Sequence, residues 1–467
     1  MFLSNLASIS GVNLFRSLIQ FTLNLVLAIY ITPSEYGLVV FTIPFLAFLS
    51  MLTDMGLSSA MVRSKTLSPD TVGAVLSLSF TVGTIFALAL GGSSPLVERL
   101  ARLPGLSPVM SAFSFVLLLT VIAAPLRAVL ERALAFKTIA LAEGVSTLAS
   151  AVLGVTVAAM GGRVWALVAS NLVMQLLRLG FFWFAARKDV RLNFNWGAVS
   201  GIVQFGGWVM GANIVAFMAR NIGNVIIGAS LGASSVGLYG LANQIMIAPL
   251  MIITWPASGV LMATASRRLA SGDSAIKLIA AVLSVTALVT FPGMAFLTQG
   301  FATPVHLFLS HHWAEVVPLV SWLAPLGAIQ SVAGFNGVIM LAYGHSRTQF
   351  ISGLVNSALT VLVFFLAAPM GLMFMIKAYV LSNAVTSLAL LSWSMVLVKF
   401  PLVRFARDLA PAILAALGAT LVLWLVLRLG SSFGVWALGV FAYGLAVLGI
   451  YVCFRRQILD NLTEFKR

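Results

Sequence analysis

The 467-residue chain is 61% hydrophobic and only 8% charged, with a mean hydropathy of +1.07. No soluble domain hides so much apolar surface, so the composition predicts a polytopic membrane protein. The net formal charge of +15 could suggest nucleic-acid binding. The distribution argues against that class, because lysines and arginines stand singly or in small groups between apolar runs, as the positive-inside rule expects. The single cysteine, Cys453, excludes an intrachain disulfide and a cysteine-rich metal site.

In chain order, windows of about 19 residues predict fourteen membrane-spanning helices. The first seven lie near residues 10–31, 36–58, 71–91, 107–127, 139–161, 164–186 and 205–227. The other seven lie near residues 236–260, 276–298, 316–342, 349–368, 371–397, 409–428 and 433–454. The loops between them reach at most ~20 residues, well short of the ~50 that a small domain needs. The sequence has no G-x-x-x-x-G-K-[ST] phosphate-binding loop, so we expect no ATPase within it.

The basic residues predict the orientation of these spans. Nineteen of the 27 Lys and Arg residues fall in loops or a tail on one side, four fall on the other side, and four fall within spans. Because basic residues concentrate on the cytoplasmic side, this pattern predicts that both termini are cytoplasmic. The four basic residues within spans are Arg16, Arg178, Arg220 and Lys377.

An internal echo relates the starts of spans 1 and 7. At an offset of 200 residues, five identities occur: Gly11, Asn13, Asn24, Gly37 and Leu38 match Gly211, Asn213, Asn224, Gly237 and Leu238. Each half of a twelve-span core then holds six spans, an even number, so the halves run parallel and are related by an axis along the membrane normal. Transporters use this arrangement and hold their substrate between the halves.

Span 7 carries the most unusual charge. Arg220 lies well inside it, close to Asn224, and a guanidinium in hydrocarbon costs between ~2.5 and ~17 kcal/mol. We therefore expect both side chains to face an internal aqueous path, where Arg220 binds a phosphate or an acidic sugar, since its planar fork matches phosphate oxygens. The alternative is a structural pair with a buried carbonyl or carboxylate between helices.

Four further residues join the predicted substrate-binding set: Arg16, Asn13, Asn24 and Lys377. Arg16 shares one helical face with Asn13 and Asn24, which favours a polar stripe facing the cavity over a side chain that reaches the headgroups. Lys377 is either a second contact for the anion or a residue that reaches the interface.

Two acidic residues are candidates for gating or proton coupling. Asp54 and Glu143 lie at or within spans, and a desolvated carboxylate has a raised pKa, so either could carry a proton. We favour the alternative, an ion pair at a cytoplasmic gate with Arg63 or Lys137. The histidines of the loop after span 9 lack a third spaced ligand, so no metal site is predicted. Pro249 and Pro256 predict kinks in span 8.

Several motifs together resemble the polysaccharide transporter family, the Wzx-type flippases and lipopolysaccharide exporters. They are PSEYGL at 33–38, TDMGLSSA at 53–60, LERALAFK at 130–137, VWALV at 164–168, RNIGNVIIG at 220–228, VGLY at 236–239, and Asn336-Gly337 with Gly344. The resemblance covers about residues 1–400 and extends to the superfamily of multidrug extruders and lipid II flippases. His345 departs from the basic residue expected after Gly344, which weakens any role assigned to that loop.

The resemblance implies a fold and a function. The fold is all-α, with about fourteen transmembrane helices: a lobe at 1–190, a parallel lobe at 191–400, and two further helices with a cytoplasmic tail at 401–467. The implied function is alternating access around a cationic cavity, carrying an undecaprenyl-pyrophosphate-linked oligosaccharide from the cytoplasmic to the periplasmic leaflet of the bacterial inner membrane. No cofactor, catalytic residue or nucleic-acid partner is expected. Coupling to a proton or sodium gradient, and partnership with a polysaccharide polymerase and chain-length machinery, stay open.

Three other functions compete with this one. A drug or cation antiporter of the same superfamily needs acidic residues in the cavity, whereas the charges within spans are mostly basic. A membrane glycan polymerase or ligase needs clustered Arg and His on a long external loop, which the sequence lacks. A structural scaffold would not need Arg16 and Arg220 within spans.

Overall fold

The computed structural model describes residues 18–54, 56–64, 67–191, 200–430 and 432–457, apart from the side chains of 200–220 and of residue 402. Helices α1 to α9 are Leu18–Tyr30, Pro33–Asp54, Leu57–Arg63, Pro69–Ala101, Leu106–Arg132, Phe136–Ala159, Val164–Ala186, Ser200–Pro249 and Trp255–Ala270. Helices α10 to α17 are Ile276–Gln299, Ala302–Phe308, Val316–Ala333, Asn336–Ala342, Ser346–Ala367, Leu372–Leu397, Leu402–Leu427 and Phe433–Cys453. Short 3₁₀ turns lie at Arg187–Asp189, His311–Trp313 and Ala368–Met370, and a π-helix spans Leu250–Thr254.

This helical architecture confirms the predicted fold class. Within the described ranges, twelve helical stretches are long and apolar enough to cross a bilayer. Eleven of them coincide with predicted spans 2–6 and 9–14, and the twelfth, Asn221–Ala270, covers the end of span 7 and the whole of span 8. Gly232 interrupts that stretch with a non-helical backbone, φ 84° and ψ 174°. Predicted span 1 is described only from Leu18, and the count of fourteen remains a prediction.

The chain divides into two compact units, Met1–Gly237 and Leu238–Arg467. The predicted division into 1–190, 191–400 and 401–467 stays a prediction. In the first unit, α5 packs against α2, α4 and α7, and α6 pairs with α7. Two apolar clusters fill this unit, one around Leu57, Met61, Leu126 and Phe182 and another around Leu90, Met110, Leu117 and Val121.

A capping box starts α2. The backbone N–H of Thr32 donates to Glu35 Oε2 at 3.0 Å, and the N–H of Glu35 donates to Thr32 Oγ1 at 3.4 Å. Pro33 occupies the first helical position, where its missing N–H leaves no partner unsatisfied. The other oxygen of Glu35 lies 2.6 Å from Nε of Arg163, which ties the start of α2 to the start of α7.

The glycines that the sequence echo pairs lie in contact with each other. A Cβ added at Gly37 would lie 1.8 Å from the carbonyl oxygen of Ala233, and one added at Gly237 would lie 1.9 Å from that of Pro33. Pro33 and Ala233 are also related by the offset of 200 residues, so the two close contacts involve equivalent positions of the sequence echo. Glycine at both positions lets the two backbones approach this closely.

In the second unit, α10 packs against α12 and α16, α16 pairs with α17, and α15 packs against α12 and α14. Two tyrosine side chains of α17 donate hydrogen bonds to backbone carbonyls of α10. Pro292 lacks an N–H, which leaves the carbonyl of Leu288 without its usual helical donor, and the Tyr451 hydroxyl donates to that carbonyl. Tyr443 donates to the carbonyl of Pro292 at 2.6 Å. The two helices after residue 401 are therefore an integral part of this unit.

A π-helix lies between Pro249, the last residue of α8, and Pro256 near the start of α9. The kinks expected at these two prolines stay a prediction. Pro256 offers no N–H to the carbonyl of Ile252, and the N–H of Trp255 donates to Leu250, five residues back. Thr254 in the widened turn donates to the carbonyl of Ser331 on α12 at 3.2 Å. Within this unit, the irregular turn and the end of α12 therefore lie together.

Candidate functional site

The side chains of the two arginines that the sequence singles out, Arg16 and Arg220, fall outside the described part of the structure. Arg16 and Asn13 precede Leu18 and fall outside the described residues. Arg220 lies in α8, but its side chain falls outside the described part. The cationic site at Arg16 and Arg220 therefore stays a prediction. Asn24 on α1 and Asn224 on α8 are both half-buried, and the described hydrogen bonds do not link them.

Lys377 is an exposed residue of α15. Its ammonium lies 5.2 Å from the centre of the Trp322 ring on α12, close enough for a cation–π interaction. Its binding of an anion stays a prediction.

The two acidic candidates have different surroundings. Asp54 ends α2 and accepts hydrogen bonds from the backbone N–H of Ser58, at 3.3 Å, and from the Ser58 hydroxyl, so it caps the start of α3. Glu143 is 3% exposed, and its Oε1 lies 2.8 Å from Nη1 of Arg127, which also holds Glu131 at 2.8 Å. An ion pair at Glu143 was expected, but its partner Arg127 was not among the residues that sequence reasoning named. A gating role for either acid stays a prediction.

The second unit contains a polar cavity that sequence reasoning did not identify. Its volume is about 390 Å³, and it lies where α12, α13, α14 and α15 meet the π-helix. The cavity, here called the amide pocket, is lined by polar residues that are all neutral: Gln330, Asn336, Gln349, Ser352, Asn356, Asn383 and Ser387. Its apolar lining includes Ile247, Leu250, Trp255 and Leu390. None of the lining residues that the structure describes is charged.

Hydrogen bonds between α12, α14 and α15 hold several side chains of the amide pocket in place. Gln330 on α12 donates to Asn383 on α15 at 2.9 Å, and Asn383 donates to Thr360 on α14 at 3.3 Å. Thr386 on α15 donates to Asn356 on α14 at 2.9 Å. Because each amide is both donor and acceptor, the network fixes the side chains without any net charge.

Two oxygen atoms of the pocket lining are free to accept further hydrogen bonds. The side-chain oxygens of Asn336 and Gln349 are buried and have no hydrogen-bond partner among the described residues. A buried polar atom without a partner costs ~1–3 kcal/mol, and such atoms at a cavity wall are ready to accept hydrogen bonds from a ligand. Gly337 makes room for the Gln349 amide, because a Cβ there would lie 2.7 Å from its Nε2.

The sequence contains a signal for this pocket. Gln349 and Asn356 stand two helical turns apart in span 11, and Asn383 and Ser387 stand one turn apart in span 12. Such spacing places polar side chains on one face of an otherwise apolar helix. Attention to ionisable residues alone hides it, since amides leave the charge count unchanged.

The chain matches known proteins along most of its length. A family model described as polysaccharide biosynthesis protein matches residues 26–318, more than half of the chain. The chain is 23% identical over 339 residues to the lipopolysaccharide biosynthesis protein WzxC of Escherichia coli, a match that covers 71% of this chain and 68% of that protein. It is 26% identical over 300 residues to the succinoglycan biosynthesis transport protein ExoT of Rhizobium meliloti, covering 64% and 60%.

Solved structures show the same fold at low sequence identity. The lipid II flippase MurJ in an inward closed conformation superposes with a TM-score of 0.78 at 14% identity, covering 96% of this chain and 99% of that one. An inward-facing MATE multidrug resistance transporter superposes with a TM-score of 0.64 at 12% identity, covering 84% and 98%. The chain is thus a multi-pass membrane protein with the MurJ and MATE fold, and it belongs to the polysaccharide biosynthesis protein family.

Proposed function

We propose that this protein is a flippase that moves an undecaprenyl-pyrophosphate-linked oligosaccharide from the cytoplasmic to the periplasmic leaflet of the bacterial inner membrane. Its family, its resemblance to a succinoglycan transport protein and its MurJ-like fold support transport of a lipid-linked sugar. Flipping breaks no covalent bond, so the proposal requires no catalytic residue. Net movement requires that substrate or a coupling ion bind the inward- and outward-open states unequally.

The amide pocket is the observation that carries the sugar part of the proposal. A sugar presents hydroxyl groups that both donate and accept hydrogen bonds, and the neutral amides of Asn336, Gln349 and Asn383 offer the complementary groups. A volume of about 390 Å³ lies within the ~300–1,000 Å³ typical of small-molecule sites. Trp255 also lines the cavity, and an aromatic side chain of this kind can pack against the C–H side of a sugar ring. A cationic drug would instead call for a carboxylate here.

The pyrophosphate requires a different contact. Arg220 and Arg16 are the proposed ligands, because a guanidinium binds phosphate oxygens through two parallel hydrogen bonds. Asn224 and Asn24, both half-buried, are proposed to flank them. The undecaprenyl chain would remain in the bilayer.

Transport in vesicles tests the proposal. Purified protein is reconstituted and supplied with a fluorescently labelled polyprenyl-pyrophosphate oligosaccharide, and the labelled sugar accessible from outside is followed with time. We expect wild type to flip the lipid, Arg220→Ala to abolish flipping, and Arg220→Lys to retain part of it. Failure of the folded wild type to move the lipid would refute the substrate class, and normal flipping by Arg220→Ala would refute the role of that arginine.

Gln349→Leu tests the amide pocket separately. This change removes a buried oxygen without a partner, so it should leave thermal stability unchanged or raise it. If the oxygen binds sugar, transport of the oligosaccharide nevertheless falls. The matched control is Gln175→Leu, which removes an amide bonded to Thr120 at 2.8 Å and should lower stability without a comparable loss of transport by the surviving folded protein. Unchanged transport by Gln349→Leu would exclude this residue from the sugar site.

A further inference from the structure

A second cavity lies at the end of the chain, away from the amide pocket. It has a volume of about 1040 Å³ and is formed by the first turns of α16 and the last residues of α17. Gln457 joins the two helices there, because its Nε2 donates to the carbonyl of Arg407 at 2.6 Å. The charge distribution of the sequence predicts that this end faces the cytoplasm.

Four arginines line this cavity: Arg404, Arg407, Arg455 and Arg456. Its described lining has one carboxylate, that of Asp408. Nε of Arg404 lies 3.7 Å from Asp408 Oδ2, too far for a hydrogen bond, and that oxygen has no hydrogen-bond partner among the described residues. Four guanidinium groups against one carboxylate leave a local charge of about +3, which attracts anionic groups to the cavity.

Apolar side chains share the wall with these arginines. Val403 is 84% exposed and Val452 is 66% exposed, and both line the cavity. A free anion gains nothing from such residues. A lipid does, because its phosphate can meet the guanidinium groups while its acyl chains continue along the apolar flank of α16 and α17.

We propose that this cavity binds the phosphate headgroup of an anionic phospholipid. Basic pockets between transmembrane helices on the cytoplasmic side are suited to such headgroups. Arginine, rather than lysine, favours bidentate contact with phosphate oxygens. The bound lipid would hold the ends of α16 and α17 together, and through Tyr443 and Tyr451 it would support α10. This inference does not depend on the proposed transport substrate.

The chain carries its own probe of this site. Cys453 is the only cysteine of the sequence, is exposed, and lines the cavity. The full-length protein is placed in mixed micelles with either phosphatidylglycerol or phosphatidylcholine, and the rate at which a water-soluble maleimide alkylates Cys453 is measured. We expect phosphatidylglycerol to slow alkylation in a saturable manner, and phosphatidylcholine to have little effect at the same concentration.

Paired substitutions identify the charges responsible. Arg407→Gln with Arg455→Gln should weaken protection by phosphatidylglycerol about 30-fold, since each basic residue near an anionic lipid surface contributes about fivefold. Arg407→Lys with Arg455→Lys should retain most of it. Arg267→Gln with Arg268→Gln, at the end of α9, changes the net charge equally and should leave protection unchanged. Thermal unfolding without added lipid confirms that each variant is folded.

Several outcomes would overturn the proposal. Equal losses in the α9 control would mean that protection reflects general attraction to a charged micelle. Protection by inorganic phosphate at the same concentration would assign the cavity to a free anion. Stronger protection by undecaprenyl pyrophosphate than by phosphatidylglycerol would make the cavity a contact for the transported lipid. Protection that persists in the Arg407→Gln, Arg455→Gln pair would exclude these arginines as ligands.

Discussion

The close contact between Gly37 and Gly237 allows a direct test of how the first unit is packed. Gly37→Ala would place a Cβ 1.8 Å from the carbonyl oxygen of Ala233, whereas ordinary contact begins at 3.4 Å. The obstacle is backbone, so a rotamer change cannot relieve it, and the two segments must separate by about 1.6 Å, the difference between these distances. Forced overpacking of this kind costs typically ~1–3 kcal/mol.

Helix propensity opposes this loss but does not cancel it. Alanine is favoured over glycine in a helix by about 1 kcal/mol, which leaves a net destabilisation of about 0–2 kcal/mol for Gly37→Ala. We expect the upper part of this range, because the obstacle is backbone. Gly237→Ala should cost a similar amount, because its Cβ would lie 1.9 Å from the carbonyl of Pro33. The two changes strain one contact, so the double variant should lose less than the sum of the single losses.

The assay is thermal unfolding of purified protein in detergent. Gly144→Ala and Gly180→Ala are matched controls in α6 and α7, since nothing lies within 4 Å of a Cβ at either position. Both controls should melt at or above the wild-type temperature, and both contact variants should melt below it. If Gly37→Ala melts as high as Gly180→Ala, the close approach of the two glycines is wrong.

Two further predictions concern a side-chain hydrogen bond and two ion pairs inside the units. Tyr451→Phe removes the donor to the carbonyl of Leu288 and should lower the free energy of unfolding by about 1–2 kcal/mol. The loss should be smaller in a Pro292→Ala background, because the new N–H of Ala donates to that carbonyl. Equal losses in both backgrounds in denaturation experiments would contradict this account of the proline. Arg127→Gln should lower the melting temperature more than Arg163→Gln. The reason is that Arg127 pairs with Glu143, which is 3% exposed, whereas Arg163 pairs with Glu35, which is 17% exposed. The reverse order of melting temperatures would show that burial of the carboxylate is not decisive.

The sequence predicted the helices well because apolar run length is a direct consequence of bilayer thickness. It also singled out Pro249 and Pro256, which flank the π-helix, since a missing N–H has a local effect on helical hydrogen bonds. It named Arg63 and Lys137 as partners for Glu143 and did not name Arg127, because the packing of α5 against α6 that brings Arg127 to Glu143 does not show in chain order. The amide pocket was missed for another reason: its members come from four helices, and none carries a charge that would make it conspicuous in an apolar span.

The neutrality of the amide pocket is consistent with the demands of transport. A net hydrogen bond between neutral groups contributes only about 0.5–1.5 kcal/mol, whereas one to a charged group contributes about 1.5–3. A site built from Asn336, Gln349 and Asn383 can therefore orient several sugar hydroxyls and still release them when the protein changes state. A site with buried carboxylates against the same hydroxyls would hold the sugar more tightly and would slow its release. On the proposed function, Arg16 and Arg220 would hold the pyrophosphate through charged contacts, and the amide pocket would hold the sugar through weaker contacts that exchange more readily.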